Sequence, residues 1–218
     1  MPYYSKRTDR MDLHIEADRG TILIKQRWEY TWLTSGRATA WTYAEKRAFH
    51  EAADSLVWNQ WGRAFFLRVR GSSRFAREHA DVRWDVNFDL EWVLSNRHWN
   101  VRVTKLPASH TGHETSYVQW GARTITLDTK DTAPRQRVRG GRTYSQYPLS
   151  HEFGHAAGNS GYASPGMHAD EYKPTSPYVR DRSSLMNVGN QLRSRHLDFI
   201  VAQLNTMIPD TTFETRGV

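Results

Sequence analysis

The segment "SHEFGHAAG", residues 150–158, restricts the fold more than any other stretch of the chain. His151 and His155 are four residues apart, and only a helix puts such a pair one turn apart on the same face, where two imidazoles can grip one ion from one side. Glu152 stands beside them, placed to hold and deprotonate water at the metal without being a ligand. The H-E-x-x-H spacing thus combines two ligands and a base, and it predicts a helix opened near Pro148 and closed near Gly158. The competing reading is a capped surface helix with two ordinary histidines.

None of the 218 residues is cysteine, so disulfides and thiolate metal sites are excluded, and any zinc must be held by histidine and carboxylate. The length suits one domain with its own core. Residues 21–218 are assigned to that domain and the polar residues 1–20 to an N-terminal arm. The first residues carry no apolar core of signal-peptide length, and no run of about 18 apolar residues could span a bilayer. The expectation is a chain made in soluble form in the cytoplasm, leaving the cell, if it does, through a specialised secretion system or lysis. A formal charge of +7 favours anionic partners. Yet the densest basic run, "PRQRVRGGR" at 134–142, reads as a solvated loop. No aromatic residues interleave with its arginines as base stacking would require, so nucleic acid is not expected as a partner.

Apolar periodicity supports an α+β fold. "TILIKQRWEYTW" places Ile22, Ile24, Trp28, Tyr30 and Trp32 on one strand face, with Gly36 expected to turn the chain into a hairpin partner. In residues 42–62, Thr42 and Glu45 fit a capping box, Phe49, Ala52, Ala53 and Leu56 form an apolar face, and Gly62 supplies a stop. "FFLRV", "VRWDVNFDL", "WNVRV" and "RTITLD" read as about four half-buried strands. A last helix is predicted from about Gln191 to Met207, ended by Pro209.

"HEFGHAAG", "DEY" at 170–172, "SSLMNVG" at 183–189 and the "RH" at 195–196 together resemble a group of bacterial zincin-fold, metzincin-like zinc metallopeptidases, often toxin-like. The resemblance is clearest over residues 122–200. It implies a small twisted mixed sheet, a backing helix, the active-site helix and a C-terminal helix after a methionine turn, with one catalytic Zn2+. In that family an aspartate completes the metal site soon after the glycine. Here the position three residues past Gly158 is Gly161, which offers no side chain, and residues 159–169 intervene before Asp170. The resemblance therefore makes Asp170 the third ligand, returned to the metal by a folded-out loop. His168 and Glu171, in the same segment, are alternative ligands, and Glu171 could instead orient a ligand imidazole.

Met186 resembles the methionine floor beneath such a metal. His196 resembles a histidine that stabilises the oxyanion or binds substrate, although it reads equally well as a surface histidine. Tyr172 and Tyr178 are further candidates for a phenol donor. The resemblance also implies a protein or peptide substrate lying along the edge strand "RTITLD", with Glu152 passing a proton from water to the leaving amine. Relatives of this kind act as secreted or injected effectors, which brings in a secretion-system carrier and an inhibitor protein as partners. Two other classes remain: a zincin scaffold that binds a protein or an anionic polymer without catalysis, and a basic nucleic-acid module.

Overall fold

The structure is a computed structural model that describes residues 3–112, 114–163 and 168–218. In chain order its elements are β1 (Tyr3–Arg7), β2 (Asp12–Glu16), β3 (Thr21–Thr34), α1 (Tyr43–Trp61), β4 (Phe65–Gly71), α2 (Arg74–Glu78), β5 (Trp84–Trp92), β6 (Trp99–Lys105), β7 (Tyr117–Gln119), β8 (Thr124–Asp128), β9 (Arg135–Arg139), β10 (Arg142–Gln146), α3 (Pro148–Ala156), α4 (Asp198–Leu204) and β11 (Thr211–Gly217). Among the described residues, nine strands form one mixed sheet in the order β11-β4-β5-β3-β6-β8-β7, with β1 and β2 added beside β3. The class is α+β, with few helices. No helix among the described residues is long and apolar enough to cross a membrane.

The sheet is organised by β3. Its fourteen residues are long enough to pair parallel to β5 over 21–28 and parallel to β6 over 28–34, while β2 lies antiparallel along 21–25. Alternation explains the burial: Ile22, Ile24 and Trp28 of β3 and Trp84, Val86 and Phe88 of β5 are sealed from solvent. Helix α1 starts where its capping box predicts, with Thr42 accepting from the Glu45 amide and Glu45 accepting in return, and Gly62 caps its end. It packs on β5 and against α3. Its buried face runs through Phe49, Ala53, Val57 and Trp61, whereas Ala52 is exposed and Leu56 half-buried. The true stripe is therefore shifted toward the C-terminal end of the helix.

Four readings of the sequence are corrected, and one strand is added. Residues 3–16 are not an arm: β1 and β2 extend the sheet, and Met11, Leu13 and Ile15 are fully buried at alternate positions in an otherwise polar stretch. Gly36 turns the chain at φ 55°, but into α1 rather than a hairpin strand. The basic run is an antiparallel hairpin, β9–β10, not a loop, and its two glycines at φ 57° and 74° form the tight turn. The last helix is short, a 3-10 turn at Ser194–Leu197 leading into α4. Beyond Pro209 the chain returns as β11, antiparallel to β4, burying Phe213. A further difference concerns "RTITLD": β7 pairs with β8 and takes the outer place, so β7 is the strand at the sheet edge.

Candidate metal centre

Helix α3 has Pro148 in its first turn, and its residues from Pro148 to Gly154 are all buried. Its packing explains "HEFGHAAG". Phe153 meets Trp61 and Phe88 edge-on, with ring centroids 5.2 and 5.6 Å away. A Cβ on Gly154 would lie 2.5 Å from the Met186 Sδ, so the methionine sits directly against the helix because this residue has no side chain. Gly158 has φ 111°, and a Cβ there would meet Phe199 at 2.4 Å, so glycine is needed to end the helix.

Two carbonyls fix the histidines. His151 Nδ1 lies 2.6 Å from the Leu185 carbonyl oxygen and His155 Nδ1 2.6 Å from that of Asn159. Each Nδ1 must therefore carry the proton, leaving the Nε2 lone pair free for an ion. Gln146 Nε2 also approaches His151 Nδ1 at 3.3 Å, but its shorter bonds, 2.8 and 3.1 Å, go to the carbonyls of Leu185 and Asn187. Asn159 is itself pinned by bonds from its Nδ2 to the Gly154 and His196 carbonyls. Gln146 and Asn159 were missed in the sequence because a lone buried amide has no spacing to betray it.

The loop after α3 brings Asp170 to the two histidines, and one ligand atom from each of His151, His155 and Asp170 lies within 4.8 Å of the others. Asp170 Oδ1 is 3.2 Å from His155 Nε2. With the His155 proton on Nδ1, both facing atoms carry lone pairs, so a cation between them, proton or metal, makes the contact favourable. Two imidazole nitrogens and a carboxylate oxygen suit zinc, and ligand atoms about 2 Å from an ion in a tetrahedral site lie roughly 3.3 Å apart, as the Asp170–His155 pair does. The residues therefore fit the ion. The His155 contact, helped by Lys173, holds the Asp170 carboxyl well below the usual carboxylate range. Burial, reinforced by His155, pushes His151 down to about 3, which keeps it neutral and ready to bind a metal.

Glu152 is 6% exposed, and its Oε2 has no hydrogen-bond partner among the described residues. Burial pushes its carboxyl up to about 7 against the opposing influence of His155, with Asp131 and Asp170 adding to the rise. A carboxyl with that value beside a cleft is suited to exchange protons with water at neutral pH. The cleft is roughly 340 Å³ and is lined by His151, Glu152, His155, Asp170, Tyr172 and the β7 residues Tyr117 and Val118. The Tyr172 phenol, pushed up to about 12 by burial and by Asp170, remains protonated there as a donor.

The other candidates lie elsewhere. His168 bonds Asp198 through Nε2 at 3.0 Å and does not reach the three ligand atoms. Tyr178 lies under the Arg195 guanidinium at 4.0 Å. Glu171 is fully buried and bonds Arg195 with both oxygens, at 2.6 and 2.8 Å, so it is neither ligand nor partner to a ligand imidazole. His196 is 1% exposed, with Nε2 3.2 Å from Ser184 Oγ and 3.5 Å from Glu171 Oε1. The expected catalytic part for His196 is corrected: it is sealed beneath the 183–189 turn, away from the cleft. Its polar neighbours in the sequence suggested a surface position, but in the fold Arg193 and Arg195 are tied to Asp181 and Glu171, and His196 itself faces Glu171.

Asp131, also missed, ties the strands to α3. Its Oδ2 accepts from Ser116 Oγ and the Asp128 amide, both at 2.7 Å, while its carbonyl accepts from the Leu149 amide. Burial and the nearby Asp128 raise its carboxyl from 3.8 to about 7. Between those values the folded chain keeps a proton that the unfolded chain has lost, so this group's contribution to stability falls as pH rises from 4 to 7. Asp131→Asn should flatten that slope by an amount on the order of 2–4 kcal/mol, read as the wild-type-minus-variant difference in urea unfolding of metal-free protein at pH 5 and pH 8. Equal differences at the two pH values would show that Asp131 ionises normally.

Comparison of the chain with protein-family models, with curated proteins and with solved structures gave no match.

Proposed function

We propose that the chain is a zinc-dependent peptidase of the zincin kind, hydrolysing amide bonds in peptides or proteins. The observation that carries this reading is the convergence of His151, His155 and Asp170 beside the unpartnered buried carboxyl of Glu152. A zinc ion held by those three residues would acidify water and polarise the carbonyl under attack. Glu152 takes the proton from water through its open Oε2 and delivers it to the leaving amine. Tyr172 donates its phenol proton to charge developing on the carbonyl oxygen. The peptide lies along β7, the strand that borders the cleft, whose outer edge, unpaired among the described residues, has backbone groups to pair with it. Met186 supplies an apolar support under α3 and no bond to the ion.

Glu152→Gln tests the reading. The variant should retain one zinc per chain by elemental analysis and lose at least about a hundred-fold in hydrolysis of an unstructured protein such as casein. Turnover at the wild-type rate in a metal-loaded variant would sink the proposal.

A further inference from the structure

A second hollow adjoins the cleft on another side of Glu152. It is roughly 300 Å³, and its walls include Ser116, Arg135, Arg137, Gln146, Glu152 and Tyr172. The two arginines come from β9, two residues apart and so on the same face of the strand, with Gln136 and Val138 exposed between and beyond them. Arg137 is half-buried, and its Nε is buried with no hydrogen-bond partner among the described residues. Glu152 and Tyr172 are near enough to act on its charge, but no ion pair engages it among the described residues. A guanidinium whose Nε is cut off from water without a partner is costly, and its planar fork matches a carboxylate.

Gln146 adds a second requirement. Its Nε2 is committed to the carbonyls of Leu185 and Asn187, which fixes the orientation of the amide and leaves Oε1 buried without a donor. The walls of the hollow thus include a cationic donor and a residue with a neutral acceptor that lacks a donor. An amino-acid residue bears the matching pair, a carboxylate and an N–H, whereas an anion with no proton to donate, such as sulfate, would press a lone pair against Oε1. The acidic side chain at the rim, Glu114, is exposed and faces His110 at 3.6 Å.

We infer that this hollow is a carboxylate subsite in which Arg137, supported by Arg135, binds an acidic side chain or a free C terminus of the substrate close to the bond at Glu152. The inference rests on the peptidase reading for its consequence, selectivity of cleavage, but its test is binding. Three labelled hexapeptide mixtures are titrated by fluorescence anisotropy against zinc-loaded Glu152→Gln protein. One carries Glu at a fixed position, one carries Gln there, both with amidated ends, and the third carries Gln with a free C terminus.

At least one carboxylate-bearing mixture should bind about ten-fold or more tightly than the amidated Gln mixture. The Glu mixture points to a side chain, the free-ended mixture to a terminus. Adding Arg137→Gln should bring that ratio close to one, whereas Arg142→Gln, an exposed change on β10, should leave it. Equal affinities for all three mixtures overturn the subsite, as does an Arg142→Gln that erases the preference as fully as Arg137→Gln. Cleavage of the Gln mixture by wild type alongside equal affinities would retain the peptidase and discard the subsite. A carboxylate preference lost with Arg137 but without cleavage of any mixture would support the subsite and discard the peptidase.

Discussion

Asp170→Ala is expected to weaken zinc binding by well over 100-fold and to end hydrolysis at micromolar zinc. Loss of a group that merely orients a ligand costs roughly 10–100-fold in affinity, and Asp170 contributes a donor atom and the site's negative charge as well. The two remaining donors both come from α3, and a pair on one helix face leaves the opposite side of the ion to water. The same substitution removes the carboxylate that faces His155 Nε2 at 3.2 Å and takes the Lys173 ammonium at 2.6 Å. Competition against a colorimetric chelator gives the affinity, and the far-ultraviolet spectrum checks that the variant is folded. His168→Ala is the informative companion. With its Nε2 on Asp198, it should bind zinc within about two-fold of wild type. The assignment of the third ligand fails if Asp170→Ala binds zinc as tightly as wild type, or if His168→Ala loses the ion.

The sequence made the site's own helix legible because its chemistry is periodic. Two histidines four apart, a proline before them and a glycine after them specify one turn of geometry, and α3 starts and ends within two residues of where they place it. The strands were legible where alternation ran long, as in β5. They were hidden where it ran short: β2 shows only Leu13 and Ile15 between polar residues, and its burial comes from pairing with β3, a contact no local pattern encodes. The β9–β10 hairpin was hidden by charge. Its arginines suggested solvent, yet Arg135 and Arg137 turn toward Glu152.

What lay furthest from the sequence was the loop between α3 and α4. Its polar residues are held by one another across gaps of a dozen residues or more, as Glu171 is by Arg195, and such pairs leave no spacing signature. The resemblance read residues of both "DEY" and "RH" as parts of the site. In the fold only Asp170 and Tyr172 face the cleft, while Glu171 and His196 look inward.

That inward pair gives the second large effect: Glu171→Gln should cost about 3–5 kcal/mol of stability while leaving zinc stoichiometry at one per chain. The carboxylate is fully buried and takes two short bonds from Arg195, whose Nη2 also reaches Asp181 at 2.7 Å, and Arg193 grips that same Asp181 through two further bonds. Neutralising Glu171 leaves two guanidinium groups around one aspartate and deprives His196 of the anion beside its Nε2. Because the Glu171 amide donates to the Met186 carbonyl, the disturbance falls on the turn beneath α3, while all three ligand side chains stay in place to hold the ion. The pH dependence is a further check. Burial works against the charge of Glu171, but the Arg195, His196 and Ser184 bonds outweigh it and hold the carboxyl down to about 2 from 4.5. Its stabilisation is therefore complete above the unfolded value and fades as pH falls toward 2. The deficit of the Gln variant should accordingly be largest at neutral pH and narrow in acid. A folded Glu171→Gln of wild-type stability that has lost zinc would return Glu171 to the metal and remove it from the scaffold.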